Sequence, residues 1–324
     1  LQVADRPELS VVIPAFNEEQ NVEPMYERLV AALDGVVESL EILFVDDGSK
    51  DGTWQRVSAL SERDPRVRGV RFARNFGHQA ALTAGVDLAK GRGVVIIDAD
   101  LQDPPEVIPE MVERWRDGYE VVYGQRAERE GESAFKLATA AVFYRLLARI
   151  TSVEIPVDTG DFRLMGERAL TAFRALPERN RFIRGLVSWI GFPQIAVQYR
   201  RSARLAGDTK YPLKKMIRFA LDGITSFSFL PLRLATILGF AVSFSAFVYI
   251  AVVLVLKAVG VSWSGYTSLM ASILFLGGVQ LLMIGLLGEY LARVFDEVKR
   301  RPLYLVGDST DHAAPVTPPR RGAD

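Results

Sequence analysis

Between positions 96 and 103 the chain reads I-I-D-A-D-L-Q-D, so the carboxyl groups of Asp98, Asp100 and Asp103 and the amide of Gln102 fall within one short stretch. Carboxylates crowded together repel one another unless a cation or a network of donors compensates. A hard divalent ion such as Mg2+ answers that need, because it takes one or two carboxylates and fills the rest of its shell with phosphate oxygens. The same residues also make a solvated turn capping the helix that follows Pro104 and Pro105. What precedes them decides between the two. Residues 93–97 are continuously apolar and rich in β-branched side chains, the pattern of a strand buried on both faces. A buried strand cannot hold that many carboxylates. They must project into the crevice at its carboxyl end, where open α/β sheets bind ligands.

Other elements bring polar groups to the same edge. Residues 9–14 read as a buried strand that delivers Ala15-Phe16-Asn17-Glu18-Glu19 to a loop, and Asn21 is placed to cap a helix running to about Leu33. Residues 41–45 form a second apolar strand ending in Asp46-Asp47-Gly48-Ser49, and residues 67–72 a third. The Asp98 strand is fourth, and residues 119–124 are the fifth. Strands alternating with helical stretches predict an α/β fold with a doubly wound, mostly parallel sheet and right-handed crossovers. No G-x-G-x-x-G follows the first strand and no G-x-x-x-x-G-K-S/T occurs, which argues against dinucleotide dehydrogenases and P-loop nucleotidases. The pattern favours a nucleotide held without a glycine cradle, its phosphates neutralised by a metal, with Asp46 or Asp47 accepting from a base or ribose hydroxyl. Asp-Asp-Gly-Ser is equally a good turn and helix cap.

Composition narrows the chemistry. Basic and acidic residues number 39 each, so bulk charge points neither to nucleic acid nor to an acidic tail. The chain has no cysteine, which excludes disulfides and thiol chemistry. With two histidines, His78 and His312, a zinc hydrolase or a Ser-His-Asp triad is improbable.

The character of the chain changes near residue 229. Residues 234–256 contain no charge, and residues 258–288 form a second uncharged run in which 269–287 is long enough to span a bilayer, with 262–265 as a tight connection. Lys214, Lys215, Arg218 and Arg233 precede the pair, and Arg293, Lys299, Arg300 and Arg301 follow it, so both flanks are expected in the cytosol. Residues 211–227 carry apolar side chains on one side, the pattern of an interfacial helix. These signals divide the chain into a globular unit at 1–210, an interfacial amphipathic helix at 211–229, a two-helix membrane unit at 230–290 and a cytosolic segment at 291–324, disordered from Asp308 on. Gly277-Gly278 and Gly285 would let spans pack closely in a homo-oligomer. Glu289 is placed to pair with Arg293 or with a neighbouring subunit.

The strings VVIPAFNEEQN from Val11, FVDDGSKDGT from Phe44 and IIDADLQDPP from Ile96 resemble glycosyltransferase family 2, of GT-A fold. YGQR ending at Arg126 and DTGDFRL from Asp158 are similar to the polyprenyl-phosphate glycosyltransferases, the dolichyl-phosphate-mannose synthase and bactoprenol glucosyltransferase group, and the two spans match the bactoprenol branch. The resemblance runs from about Val11 to Leu305. It implies a nucleotide-sugar donor, Mg2+ or Mn2+, a polyprenyl phosphate acceptor and an inner (plasma) membrane location with the catalytic domain cytosolic. Pro14, Ala15, Phe16, Glu18 and Asp46 would line the nucleotide pocket. Asp98 would touch nucleotide and metal, with Asp100 and Gln102 as direct metal ligands, and Arg126 would face the phosphates. Lys136, on an amphipathic stretch at 133–151, is the nearest match to the basic residue that helps hold the acceptor phosphate in this family. Arg204 and Lys210 fall in a basic segment that looks like the family's mobile loop over the donor diphosphate.

The resemblance also places Asp158 and Asp161, in one short loop, against the acceptor. A phosphate monoester has a second pKa of about 6 and is mostly a dianion at neutral pH, so these acids are read as orienting groups, possible bases at most, and the metal as the main catalyst. The Q-x-x-R-W signature of processive synthases is missing from Arg184-Gly185-Leu186-Val187-Ser188-Trp189, which favours transfer of a single sugar. Two other readings stay open: transfer to another lipid such as diacylglycerol, and a non-catalytic membrane scaffold. The second is disfavoured because every expected acidic position is filled.

Overall fold

The computed structural model describes residues 6–127, 159–179, 181, 183–200, 230–260, 265–311 and 317, and the statements below concern those residues. Leu9–Ala15 (β1), Leu40–Asp46 (β2), Val67–Phe72 (β3) and Gly93–Ile96 (β4) are parallel neighbours, with β1 between β2 and β4 and with β3 beyond β2. β1 and β4 are buried along their whole length, as their largely apolar sequences require, and the one polar side chain of β1, Ser10, donates to Glu41 of β2. The crossovers are Val22–Leu33 (α1), Thr53–Arg63 (α2) and His78–Leu88 (α3). Helix α3 lies close on β1: a Cβ on Gly85 would stand 2.0 Å from Val12 Cγ1, so only glycine permits that approach.

Past the Asp98 strand come Ile108–Arg116 (α4) and Val121–Arg126 (β5). Thr159–Met165 (β6) then inserts antiparallel between β4 and β5. Glu167–Ala175 (α5), Ile183–Trp189 (α6) and Gln194–Tyr199 (β7, parallel to β5) follow. The full order is β7-β5-β6-β4-β1-β2-β3 and a last strand, Val306–Ser309 (β8), antiparallel to β3. The doubly wound, mostly parallel expectation is met, with two strands running against the rest.

Two local expectations are corrected. The segment from Asp158 was read as a loop, yet Thr159–Met165 is a strand buried throughout, because Asp161 finds His78 and Arg184 on two helices and Arg163 donates to the Gly160 and Asp161 carbonyls. The chain from Asp308 was read as disordered, yet Asp308 and Ser309 belong to β8. The fully buried Tyr304 anchors this return, its ring stacked on Phe72 at 5.1 Å. Further along, Thr310 N–H donates to the Gly69 carbonyl at 3.0 Å, and the Asp311 carboxylate meets Arg68 at 3.2 Å and Lys90 at 3.3 Å.

Leu230–Ala258 (α7) and Tyr266–Lys299 (α8) form a separate unit. Their apolar stretches, Ala235–Ala258 and Ser268–Lys299, are long and apolar enough to cross a membrane, and no residue of their most apolar windows is buried within the chain. At 1.5 Å per residue the 24-residue stretch is about 36 Å long, against a hydrocarbon core of about 30 Å. Tyr249 Oη and Ser268 Oγ, 3.3 Å apart, join the two helices. Glu289 pairs with Arg293 at 3.5 Å, one turn along α8. The expected interfacial helix at 211–229 and the connection at 262–264 lie outside the described residues.

Candidate active site

The carboxyl ends of β1, β2, β4 and β5 share one edge of the sheet, and antiparallel β6 starts there. Ile96 of β4 faces Arg163 of β6. Continuing that register two places beyond the end of β4 sets Asp98 beside Asp161. A third group joins them. His78, the first residue of α3, places Nε2 3.3 Å from Asp161 Oδ2 and 3.6 Å from Asp98 Oδ1. Arg184, near the start of α6, completes the set with Nε 2.9 Å from Asp161 Oδ1 and Nη2 3.3 Å from Oδ2.

The two acids differ sharply. Burial works against an ionised Asp161, but the His78 contact and the Arg184 guanidinium outweigh it and hold this carboxyl well below the usual range. At Asp98 burial dominates: His78 offsets it in part, while Asp161, Asp103 and Asp100 add to it, and the carboxyl is pushed up to about 6. Asp98 Oδ1 is buried without a hydrogen bond. Arg163 is fully buried behind the cluster and donates to the Gly160 carbonyl at 2.9 Å. Burial lowers its pKa to about 10, against the pull of Asp161, and it stays charged at neutral pH. The Tyr199 hydroxyl donates to Asp103 Oδ1 at 2.5 Å. Burial and Asp103 push that hydroxyl's pKa upward, and Arg126, which also meets it, works the other way. A Cβ on Gly160 would stand 3.3 Å from Arg126 Nη2 and 3.9 Å from Asp103 Oδ2, so β6 lets this guanidinium lie across it.

The loops after β1 and β2 are stitched into one wall. Asn17 N–H donates to Ser49 Oγ, Glu18 N–H to Thr53 Oγ1 and Lys50 N–H to Asn17 Oδ1, each at 2.9 Å. Pro14 and Ala15 end β1, buried, while Phe16 is 43 % exposed on the loop. Asp46 and Asp47 part company here. Asp47 accepts from the Phe76 and Gly77 N–H groups, fixing the turn into α3. Asp46 accepts from Ser49 N–H at 2.9 Å through Oδ1, whereas its buried Oδ2 has no hydrogen bond and stands 3.4 Å from Arg71 Nε. Asn17 and Leu101 are non-glycine residues with positive φ, 56° and 58°, and both lie in these edge loops. Backbone strain of this kind collects where function demands a particular loop shape. Gln102 N–H donates to Asp100 Oδ1 at 3.1 Å, closing the turn that Leu101 bends.

The sequence-derived set therefore gathers in part. Asp98, Asp100, Gln102, Asp161 and Arg126 belong to the edge around β4, β5 and β6, and Pro14, Ala15, Phe16, Glu18 and Asp46 to the adjoining wall. Asp158, Lys136, Arg204 and Lys210 lie outside the described residues. Three contributors were missed: His78, Arg184 and Tyr199. The one available signal for His78 was its place at a helix start after β3, on the edge already marked by the acids. Among the described residues no three carboxyl or imidazole groups close on one point as an all-protein metal cage would. A Mg2+-type site needs only one or two carboxylates, with phosphate supplying the rest. The buried Asp98 oxygen, without a hydrogen bond, fits that need.

Residues 10–173 match the family described as glycosyl transferase family 2, and residues 230–294 match the GtrB C-terminal hairpin. A Bacillus subtilis (strain 168) protein named uncharacterized glycosyltransferase YkcC is 52 % identical over 301 residues, 93 % of each chain. The prophage bactoprenol glucosyl transferase homolog of Escherichia coli (strain K12) is 43 % identical over 92 % of this chain and 98 % of its own. A crystal structure of glucosyl-3-phosphoglycerate synthase from Mycobacterium tuberculosis with Mn2+, UDP and phosphoglyceric acid shares 22 % identity at a TM-score of 0.46, over 68 % of this chain and 77 % of that one. That likeness is too slight to carry an argument. The relatives and the family match agree with the mixed sheet and its acid-bearing edge: the chain is a glycosyltransferase and belongs to glycosyl transferase family 2.

Proposed function

We propose that the protein transfers a single sugar, with inversion, from a UDP- or GDP-hexose to polyprenyl phosphate at the cytosolic face of the inner membrane. The observation that carries this reading is the meeting of Asp98, with a buried oxygen that has no hydrogen bond, and the Asp161–Arg184 pair at one sheet edge, in a chain that also carries two apolar helices. Support for the acceptor comes from relatives named bactoprenol glucosyl transferase, 43 % identical over nearly all of this chain, and these make glucose the first donor to test.

In this reading Phe16 offers an apolar face to the base and Asp46 Oδ2 an acceptor for its edge or for a ribose hydroxyl. Asp98, Asp100 and Gln102 would hold Mg2+ or Mn2+, which supplies charge stabilisation to the departing nucleoside diphosphate. Arg126 faces the phosphates, with Lys136, Arg204 and Lys210 contributing from the segments beyond the described residues. The acceptor phosphate is a ready nucleophile as a dianion and needs orientation more than deprotonation. Asp161 suits orientation. A carboxylate held this far below its usual range by His78 and Arg184 is a poor proton acceptor, and its service is to fix both neighbours. Asp158 would contribute from the segment before β6, beyond the described residues.

The test uses the purified full chain in vesicles containing undecaprenyl phosphate, with a panel of labelled UDP- and GDP-hexoses and Mg2+ or Mn2+. A labelled polyprenyl-phosphate sugar, lost on chelation, is expected. Label moving to diacylglycerol instead, or no transfer from any donor, would overturn the reading.

A further inference from the structure

We propose that His78 is a positioning residue for the transfer: its imidazole ties the Asp98 carboxylate to the Asp161–Arg184 pair and sets the distance between the two halves of the centre. This rests on the glycosyl transfer inferred above.

The geometry leaves His78 little other occupation. Nε2 lies between two carboxylates on two different strands' ends, 3.3 Å from one and 3.6 Å from the other. The Asp161 contact is within hydrogen-bond range, whereas Asp98 Oδ1 lies beyond it and meets the ring as a charge neighbour. Nε2 therefore carries a hydrogen, in the Nε2–H tautomer or in the imidazolium: burial opposes a charged ring, but Asp161 and Asp98 outweigh it and raise the pKa. The ring is also delivered by a rigid mount. Gly77, at φ +100°, and Phe76 donate their N–H groups to the buried Asp47, and α3 starts at His78 itself. Removing the ring affects its two partners unequally. Asp161 keeps both contacts to Arg184. Asp98 Oδ1 has no hydrogen bond in the structure, so without the imidazole this carboxylate turns freely in a cluster of like charges. The side chain of His78 is 45 % exposed, so its loss should leave the fold in place.

Three substitutions separate position from charge. In His78→Gln the amide nitrogen reaches about as far as Nε2, in His78→Asn it stops near Nδ1, and His78→Lys restores a charge without the planar mount. In vesicles with donor and polyprenyl phosphate, His78→Ala is expected to lose about tenfold to a hundredfold in kcat. Donor KM should stay within about threefold, the pattern of an interaction lost in the transition state. His78→Gln should recover most of the rate, and His78→Asn and His78→Lys little of it. An independent readout needs no turnover. The chain has two histidines, His78 and His312, so a long-range 1H–15N spectrum of 15N-histidine protein shows two imidazoles, assigned with His312→Gln. A protonated Nε2, as Nε2–H tautomer or imidazolium, is expected at His78, with its signals shifted in Asp98→Asn. An Nδ1–H tautomer, rescue by lysine equal to rescue by glutamine, or a His78→Ala kcat within about twofold of the parent would overturn the proposal. If the parent chain transfers no sugar at all, the function fails while the spectrum still decides whether His78 bridges the acids.

Discussion

Replacing Asp161 with asparagine keeps the shape of the side chain and removes its charge. In the parent chain this carboxylate, 5 % exposed, accepts from Arg184 at 2.9 and 3.3 Å and meets His78 at 3.3 Å, with Arg163 buried beside it. Breaking a buried pair by removing one partner costs about 3–5 kcal/mol, because the remaining charges lie in low dielectric without compensation. The amide still offers one oxygen to Arg184, so the lower end, about 3 kcal/mol, is the better figure. For a globular unit of about 200 residues that loss lowers Tm by roughly 6–12 °C. Thermal unfolding of the full chain in detergent, followed by tryptophan fluorescence, measures it. An Asp161→Asn protein that melts within about 2 °C of the parent while losing transfer would refute the reasoning. Asp161 would then be a proton acceptor or substrate contact with no structural charge to balance.

Asp100→Asn should cost more in kcat than Asp161→Asn, because the departing diphosphate is the harder problem. Equal or reversed losses in a side-by-side kinetic comparison would contradict that order. Tyr304→Ala, which empties a fully buried aromatic site between the returning segment and Phe72, should destabilise by about 3–5 kcal/mol, and Tyr304→Phe by less than about 1 kcal/mol. Denaturant unfolding of the two variants reads the difference. Asp64, bonded by Arg66, has its carboxyl held at about 2. A depressed carboxylate contributes stability above its unfolded pKa and loses it as pH falls through the folded value. Asp64→Asn should therefore be less stable than the parent by about 1–2 kcal/mol at pH 5, with the gap closing by about pH 2. Unfolding titrations at a series of pH values follow that closure.

The parallel half of the sheet was legible because β1, β2 and β4 are largely apolar runs that empty into acids, and no other state of the chain hides such runs so simply. β6 was not. Its Asp161 looks like a loop residue until its partners, Arg184 and His78, arrive from more than twenty residues downstream and eighty upstream, and a linear pattern does not carry such neutralisation. β8 failed for a related reason. Four residues after a long apolar helix show no periodicity, and their place is fixed by Tyr304 on Phe72 and by the open edge of β3. Asp98 and Asp100 were found from type and position. His78 was passed over because a lone histidine suggests chemistry of its own, whereas here its meaning lies in two acids on other elements. The separate fates of Asp46 and Asp47 depended on the turn at residues 76–77, which the sequence placed nearby without saying which acid would bond it.

The central claim is that the Asp98 edge binds a nucleoside diphosphate together with a divalent ion. Anomalous diffraction from crystals of the full chain grown with UDP-glucose or GDP-mannose and Mn2+ tests it most directly. The account predicts one strong manganese peak against the Asp98 and Asp100 carboxylates, bridging to the donor diphosphate. A donor bound at that edge without manganese, or a manganese peak at another place in the chain, would contradict it.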